Sequence, residues 1–247
     1  MKQTDEPLKH RLLELAEKAY ARNINTFTNF LGLMELNVYY DMAGELSYAA
    51  PQLSGGADFC DRKIIRFGQN DAPYPVACLF ITPAQKKFSD ELTHRDFLGA
   101  LLNLGIKREM IGDILVCEKD AYVFCVDSIA DFLIKELDRV KHTSVSCRLS
   151  EEIPDQSYVH FIEQTCHVAS LRLDAVISEV CKLSRSQAQA AIHDKKVFID
   201  GRLTENNSAA VKPLNRITVR GFRKFILTEP VKTTKKGRFS ISVLIYA

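Results

Sequence analysis

The stretch that most constrains the fold of this chain runs from Ser170 to Asp200. Leu171, Leu173, Val176, Ile177 and Val180 recur at helical spacing and predict a short helix capped by Ser170. Ala188, Ala191 and Ile192 predict a second helix, capped by Ser184. Val197-Phe198-Ile199 reads as a strand, and Asp200-Gly201 is the signal of a tight type I′ turn that brings the chain back. The cations sit at the ends of these elements, with Arg172 and Arg185 near the two helix starts and Lys195-Lys196 at the strand entry. A solvated helix face would spread them along its length. The start of the second helix, with its exposed N–H groups and positive dipole end, is a natural seat for an anion.

Charge is divided along the chain in the same sense. Residues 171–247 hold 15 Lys and Arg against 6 Asp and Glu, whereas the first 170 residues hold 18 against 25. The local balance of +9 on an acidic body of −7 predicts a polyanionic partner, although the whole chain is only +2. No segment joins a basic face to a strongly apolar one, so a membrane surface is not expected. No apolar run approaches the ~20 residues of a membrane-spanning helix, and the start, Met-Lys-Gln-Thr-Asp-Glu-Pro, has no apolar signal core. Seven cysteines without a Cys-x-x-Cys pair argue against a disulfide framework and against zinc; reduced thiols packed as small apolar residues, in the cytoplasm, are expected. No cofactor and no metal site are expected.

From the N-terminus, Leu8, Leu12, Leu15, Ala16 and Ala19 predict a helix over 7–21 with Pro7 in its first turn. Residues 26–32 read as a helix end or loop, and 33–40 as an apolar element of either type. Gly55-Gly56 ahead of Asp61-Arg62-Lys63 suits a plain loop better than a phosphate-holding turn. The turn-rich Gly68-Gln-Asn-Asp-Ala-Pro73 suggests a boundary, giving a mainly helical domain over 1–72. Beyond it, a strand at 74–81, a helix at 93–104, strands at 111–116 and 121–126, a helix at 127–140 and a strand at 144–149 follow. That is the order of a ferredoxin-like, RRM-like βαββαβ domain over 73–150. The helix at 127–140 is expected to share one face among Ile129, Phe132, Leu133, Leu137 and Val140. Tyr122 and Phe124 on one strand suit core packing better than base stacking. His94-Arg95-Asp96 resembles a kinase catalytic loop only superficially, since no Asp-Phe-Gly or glycine loop accompanies it. Arg95, Lys107 and Arg108 are candidates for a small basic lip, with capping and salt bridging through Asp96 and Arg95 as the competing expectation. The acidic 151–165 reads as a linker before a basic domain over 166–247; the fold class is therefore α+β.

Ser-Leu-Arg-Leu-Asp at 170–174, Leu-Ser-Arg-Ser-x-Ala-x-x-x-Ile at 183–192, Val-x-Ile-Asp-Gly at 197–201 and Ile-x-Val-Arg-Gly at 217–221 come in one order. In this, residues 170–225 resemble the α-L RNA-binding domain of small-subunit ribosomal protein four. Three places depart from that pattern: no glycine precedes the strand in Asp194-Lys195-Lys196, Asp200 replaces Asn, and Leu214-Asn215 replaces Gly-Asp. Over nearly its whole length the chain resembles the YlmH family of bacterial proteins. The residues that carry this are Gly55-Gly56 with Asp61-Arg62, His94-Arg95-Asp96-Phe97-Leu98-Gly99 and the Ala-Leu-Leu that follows, Gly112-Asp113-Ile114, Ser170–Asp174 and Thr234-Lys-Lys-Gly-Arg238. Residues 26–31 and Phe59-Cys60 depart from the family pattern. The resemblance implies a non-enzymatic factor encoded near cell-division genes. It also implies binding to the large ribosomal subunit carrying peptidyl-tRNA, in the rescue of stalled translation.

Enzymes that carry the same module need a catalytic half. Arg172-Leu173-Asp174 continues Ala-Val-Ile without the run a pseudouridine synthase requires, and no glycine-rich nucleotide turn follows a strand as a methyltransferase requires. An RNA-modifying enzyme of either type, with an unrecognised active site, is the runner-up reading. The expectation is binding without catalytic residues, to structured RNA (rRNA and tRNA), with no DNA specificity. Arg172, Ser184, Arg185, Ser186 and Gln187 form its centre, Lys195, Lys196, Arg220, Arg223 and Lys224 track the backbone, and Lys235, Lys236 and Arg238 extend the path. Asp174 is expected to brace an arginine rather than to touch RNA.

Overall fold

The computed structural model describes residues 5–154, 159–228, 232–233 and 237–246. The chain forms two units, Met1–Val159 and His160–Ala247, and each is described by itself.

In the first unit, α1 (Glu6–Arg22) starts with Pro7 in its first turn and ends on Asn23 in the left-handed conformation; it buries Leu12, Leu15, Ala16 and Ala19. β1 (Thr26–Phe27), α2 (Leu33–Met42), β2 (Gln52–Ser54) and β3 (Ile64–Phe67) follow, and the strands pair antiparallel in the order β1-β3-β2. Residues 26–32 are thus a strand and a lone bridge from Leu31 to Lys63, and the undecided 33–40 belongs to a helix. Next come β4 (Val76–Pro83), α3 (His94–Asn103), β5 (Ile111–Cys117), β6 (Asp120–Val126), α4 (Ala130–Glu136), β7 (Arg139–Val140) and β8 (Thr143–Leu149). Their sheet runs β5-β6-β4-β8-β7 with every neighbour antiparallel.

Residues on either side of the Gly68–Pro73 turn share one core: Phe30, Cys60 and Ile64 pack with Leu79, Phe97 and Phe124. Arg62 fastens this junction. Its Nε donates to the Ile111 carbonyl at 2.9 Å and its Nη2 to the Phe30 carbonyl at 2.8 Å, while its own N–H donates to Asp113 at 2.8 Å. Close packing also fixes the glycines here. A Cβ on Gly56 would overlap the Phe124 ring, and one on Gly112 would lie 2.8 Å from Phe30. That packing accounts for Gly56 without any phosphate.

The helix expected over 127–140 is shorter. A single 3-10 turn precedes α4, and after Glu136 the chain extends so that the Asp138 carbonyl can accept from Val145 N–H and Val140 can pair with Thr143. Ladder pairing to β8 wins over helix continuation, and Phe132 stays 43% exposed instead of joining the apolar face.

The second unit comprises β9 (Phe161–Val168), α5 (Leu173–Val180), α6 (Arg185–His193), β10 (Val197–Ile199), β11 (Arg202–Leu203), β12 (Arg216–Val219), β13 (Lys224–Leu227), β14 (Lys232–Thr233) and β15 (Phe239–Tyr246). One sheet runs β11-β10-β12-β13-β15-β14, and β9 pairs with β15 over eight positions, from Phe161↔Tyr246 to Val168↔Phe239. Residues 161–165, assigned to a linker from composition, are therefore part of this sheet. Helices α5 and α6 cover one face, burying Val176, Ile177, Val180, Ala188 and Ile192 against Val197, Ile217, Val219, Phe225 and Val243. Ser170 does not cap α5. Leu171 and Arg172 are drawn into strand-like pairing with Ala210 and Val211, so the helix starts two residues later than its apolar spacing suggests.

The three departures from the ribosomal-protein pattern fall on three left-handed residues: Lys195 at φ 59°, Asp200 at φ 51° and Leu214 at φ 67°. Asp200 suits its place, since its carboxylate accepts from Asn215 Nδ2 at 2.6 Å and from Arg216 N–H at 2.8 Å, bracing the Leu214 turn. Leu214 gains nothing comparable: it is 72% exposed. A side chain in this region costs about 1–2 kcal/mol, and glycine removes that cost while giving part of it back through its greater freedom in the unfolded chain. Leu214→Gly is therefore expected to raise stability by about 0.5–1 kcal/mol, read as a shift of the urea midpoint at unchanged slope; a lower midpoint would refute the strained turn.

Candidate nucleic-acid interface

The side chains at the two helix starts converge on one atom group. Asp174, in the first turn of α5, is fully buried. Arg172 grips it with Nε on Oδ1 and Nη2 on Oδ2, both at 3.1 Å. Arg185, the first residue of α6, donates from Nε to Oδ2 at 3.3 Å and from Nη2 to both oxygens at 3.2 Å. Gln189 adds Nε2 to Oδ2 at 3.2 Å, and the Asp174 N–H itself donates to the Asn207 carbonyl at 3.1 Å. Burial alone would raise the Asp174 carboxyl. The hydrogen bonds from Arg172, Gln189 and Arg185 outweigh it and hold the group down at about 2.

The Arg172 and Arg185 side chains remain 43% and 51% exposed. Both turn their Nε–Nη2 edge to the carboxylate, which leaves Nη1 of each directed away from it. Two cations on one carboxylate leave a net positive charge, and a planar fork held on one edge presents its other donors in fixed geometry. Asp174 is thus the brace expected from sequence, for both arginines rather than one.

The remaining sequence-predicted residues divide by location. Ser184 and Gln187 are exposed but close a capping box on α6: Gln187 N–H donates to Ser184 Oγ at 3.2 Å, and Ser184 N–H donates to Gln187 Oε1 at 2.8 Å. Ser186 shares its hydroxyl with Ser184 at 3.0 Å. Lys195 pairs with Glu205 at 3.2 Å and Lys196 with Asp194 at 3.0 Å, on the surface. The Arg220 N–H donates to the Lys196 carbonyl at 2.8 Å, which sets the β12–β13 hairpin tip beside the entry to β10. Arg223, on that tip, acts electrostatically on Cys181 and Lys182. Lys224 lies apart. It alternates with the buried Phe225, so it occupies the sheet face away from α5 and α6, with Nζ 4.2 Å from the centroid of the Tyr246 ring. Arg238 donates to the His167 carbonyl at 2.7 Å. Lys235 and Lys236 lie outside the described residues.

The lip expected at Arg95, Lys107 and Arg108 is only partly a surface feature. Arg95 and Lys107 are exposed. Arg108 turns inward and donates from Nη1 to the carbonyls of Ile111 and Gly112, at 2.5 and 3.2 Å. Burial, with Arg62 beside it, pulls Arg108 down to about 10. Asp96 accepts from Thr93 N–H and Oγ1 at 2.8 and 2.7 Å and pairs with Lys141 at 2.9 Å, so the capping role holds but the ion-pair partner is not Arg95. Phe124 is buried in the core, whereas Tyr122 stands 5.1 Å from Phe80 on the same face, with Arg148 over the Phe80 ring.

Sequence reasoning passed over Lys182 and Phe222. Lys182 is left-handed at φ 56° and belongs with Arg223; its position three residues before Arg185 was the available signal. Phe222 is half-exposed between Arg220 and Arg223. Among the described residues, no group of three or more His, Cys, Asp or Glu side chains is placed to hold a metal ion, and no helix is long and apolar enough to cross a membrane. All seven cysteines are free.

Residues 72–153, the β4–β8 sheet with its helices, match the family model described as a putative RNA-binding domain in YlmH. The chain is 28% identical over 223 residues to the ribosome-associated protein quality control protein P2 of Bacillus subtilis, covering 87% of this chain and 85% of that protein. Among solved structures, the cell division protein ylmH from Streptococcus pneumoniae aligns with a TM-score of 0.48 at 16% identity, over 60% of this chain and 91% of that one. The chain is thus similar to the YlmH RNA-binding domain over residues 72–153 and to a ribosome-associated quality control protein over most of its length.

The Asp174 cluster makes the stability of the second unit depend on acid. Because the folded carboxyl titrates below its unfolded value, the stabilisation is complete above about pH 4 and is lost as pH falls toward about 2. The shift corresponds to roughly 2 kcal/mol. Asp174→Asn is expected to lower unfolding free energy by about that amount at neutral pH and to remove this part of the acid dependence. The wild-type minus variant difference isolates it from Asp96, whose carboxyl is also held at about 2. A difference that stays flat with pH would place the arginines elsewhere.

Proposed function

We propose that this protein is a non-catalytic RNA-binding factor of the bacterial cytoplasm that acts in ribosome-associated quality control. It grips structured RNA, ribosomal RNA helices and tRNA, on the large ribosomal subunit carrying peptidyl-tRNA, in the rescue of stalled translation. The resemblance to the YlmH family brings a connection to cell division into the same proposal. The observation that carries the reading is the pair of arginines fixed on buried Asp174 at the start of α6, within a segment of local charge +9.

Two features of the fold support the domain assignment. The sheet order β5-β6-β4-β8, all antiparallel, with α3 and α4 between strands in the pattern strand, helix, strand, strand, helix, strand, supports a ferredoxin-like, RRM-like domain over 73–150. Two short helices on the face of β10, β12 and β13 support an α-L RNA-binding domain over 166–247, with β9 added at its start. Arg172 and Arg185 bind phosphates by charge-assisted hydrogen bonds, and Lys182, Lys196, Arg220 and Arg223 track the adjoining backbone. Because A-form RNA hides its base edges in a deep groove, the arginine pair reads shape more than sequence.

Arg185→Ala in the full chain is expected to weaken binding to tRNA and to large ribosomal subunits roughly tenfold at low salt. The log–log salt slope should flatten by about 0.7–0.9 for each phosphate that is no longer neutralised. Filter binding across a salt series reads both quantities. Unchanged affinity and slope would overturn the assignment of the arginine pair.

A further inference from the structure

Phe222 stands at the tip of the β12–β13 hairpin and serves no visible purpose within the fold. Hairpin connections are usually built from Gly, Asn or Asp, for conformational reasons that do not involve an aromatic ring. Here Gly221, at φ 84°, supplies the left-handed turn residue. The turn closes through backbone groups alone, Phe222 N–H to the Val219 carbonyl at 2.9 Å and Val219 N–H to the Arg223 carbonyl at 2.8 Å. The Phe222 ring remains 50% exposed and takes no part in the apolar core under α5 and α6. Among the described residues it has no ring–ring or cation–π partner.

Its surroundings are cationic. Arg220 and Arg223 are exposed on either side of it. Arg220 is tied through its N–H to the Lys196 carbonyl, and Arg223 lies within electrostatic reach of Lys182 at the end of α5. An apolar flat surface at the centre of a cluster of phosphate-binding side chains is the combination with which proteins hold unpaired nucleotides. The cations track the backbone while the ring takes the face of a base. A second protein would need an apolar patch wider than one ring to dock, and Phe222 is flanked in the hairpin by the exposed Arg220 and Arg223.

We propose that Phe222 stacks on an unpaired base, bulged or in a loop, of the RNA whose backbone Arg220, Arg223, Lys182 and Lys196 hold. The proposal rests on the RNA-binding reading above. It adds that the hairpin tip selects RNA with a base out of its helix over an uninterrupted duplex. Every base has a π face, so the preference is for the unpaired state and not for a particular base.

The test uses the full-length protein and two RNA hairpins that differ only in one bulged nucleotide, with 2-aminopurine at the bulge as a stacking reporter. The wild-type protein should prefer the bulged hairpin and quench or enhance the reporter on binding. Phe222→Ala should lose roughly fivefold or more in affinity for the bulged RNA, with no change in salt slope, because no charge is removed. Phe222→Leu keeps apolar bulk without a flat π face and should behave like the alanine variant. Phe222→Tyr should retain both preference and reporter signal. Equal weakening on both hairpins in the alanine variant, or none on either, would overturn stacking. If Arg185→Ala weakens both RNAs while Phe222→Ala weakens neither, stacking fails and the RNA-binding reading survives. If neither variant has any effect, the RNA-binding reading itself fails. Thermal unfolding of each variant separates the loss of stacking from the loss of the fold.

Discussion

The candidate interface depends on one carboxylate. Asp174 is completely withdrawn from water, and an isolated charge in that position would be strongly unfavourable. It is tolerated because Arg172, Arg185 and Gln189 supply donors to both oxygens while the arginine side chains stay about half exposed. The desolvation penalty therefore falls mainly on the anion, and the cations retain much of their hydration. What the arrangement contributes is order. Two long side chains with many rotamers are held in one relation to each other and to the start of α6. A ligand that needs two fixed cations then loses less conformational entropy on binding than it would with two free ones.

Arginine is used in the opposite way in the first unit. Arg62 and Arg108 both donate to the Ile111 carbonyl, with Phe30 and Gly112 as further acceptors. Burial lowers both groups, and their mutual repulsion adds to the effect at Arg108. Their work is to satisfy carbonyls where the N-terminal residues meet the five-stranded sheet. Arg108 was a reasonable surface candidate from its loop position, and nothing in its local sequence distinguishes it from Lys107. The difference lies in carbonyls that come together only when Phe30 and Ile111, far apart in the chain, become neighbours.

That contrast marks what could be read in advance. The strands at 76–83, 111–117, 120–126 and 143–149 and the starts of α3 and α6 were legible, because their signals are local: alternation, helical period, a Thr or Ser cap. The end of α4 and the start of α5 were not. In each case a backbone group was claimed by a distant strand or loop, Asp138 by Val145 and Leu171 by Val211. Asp174 could be read as a brace because Arg172 lies two residues away; that Arg185, eleven residues on, would share it needed the packing of α5 on α6. The substitutions at Lys195, Asp200 and Leu214 could be read as departures. Only the backbone showed that all three are left-handed positions where glycine or asparagine would sit with less strain.

The local charge of the second unit overstates its free cations, and the way they are engaged ranks them. Lys182, Lys195 and Lys196 are held by Glu179, Glu205 and Asp194 in surface pairs, each worth less than about 1 kcal/mol. A phosphate can displace such carboxylates with little loss, so in the proposed complex these lysines would supply affinity and salt dependence without fixing a pose. Arg172 and Arg185 cannot leave Asp174 so readily, since that would strand a buried anion. They must meet the ligand where they stand. The second unit thus combines a rigid arginine pair with a yielding cationic periphery, and in the proposed complex only the rigid pair would impose a geometry that an RNA must match.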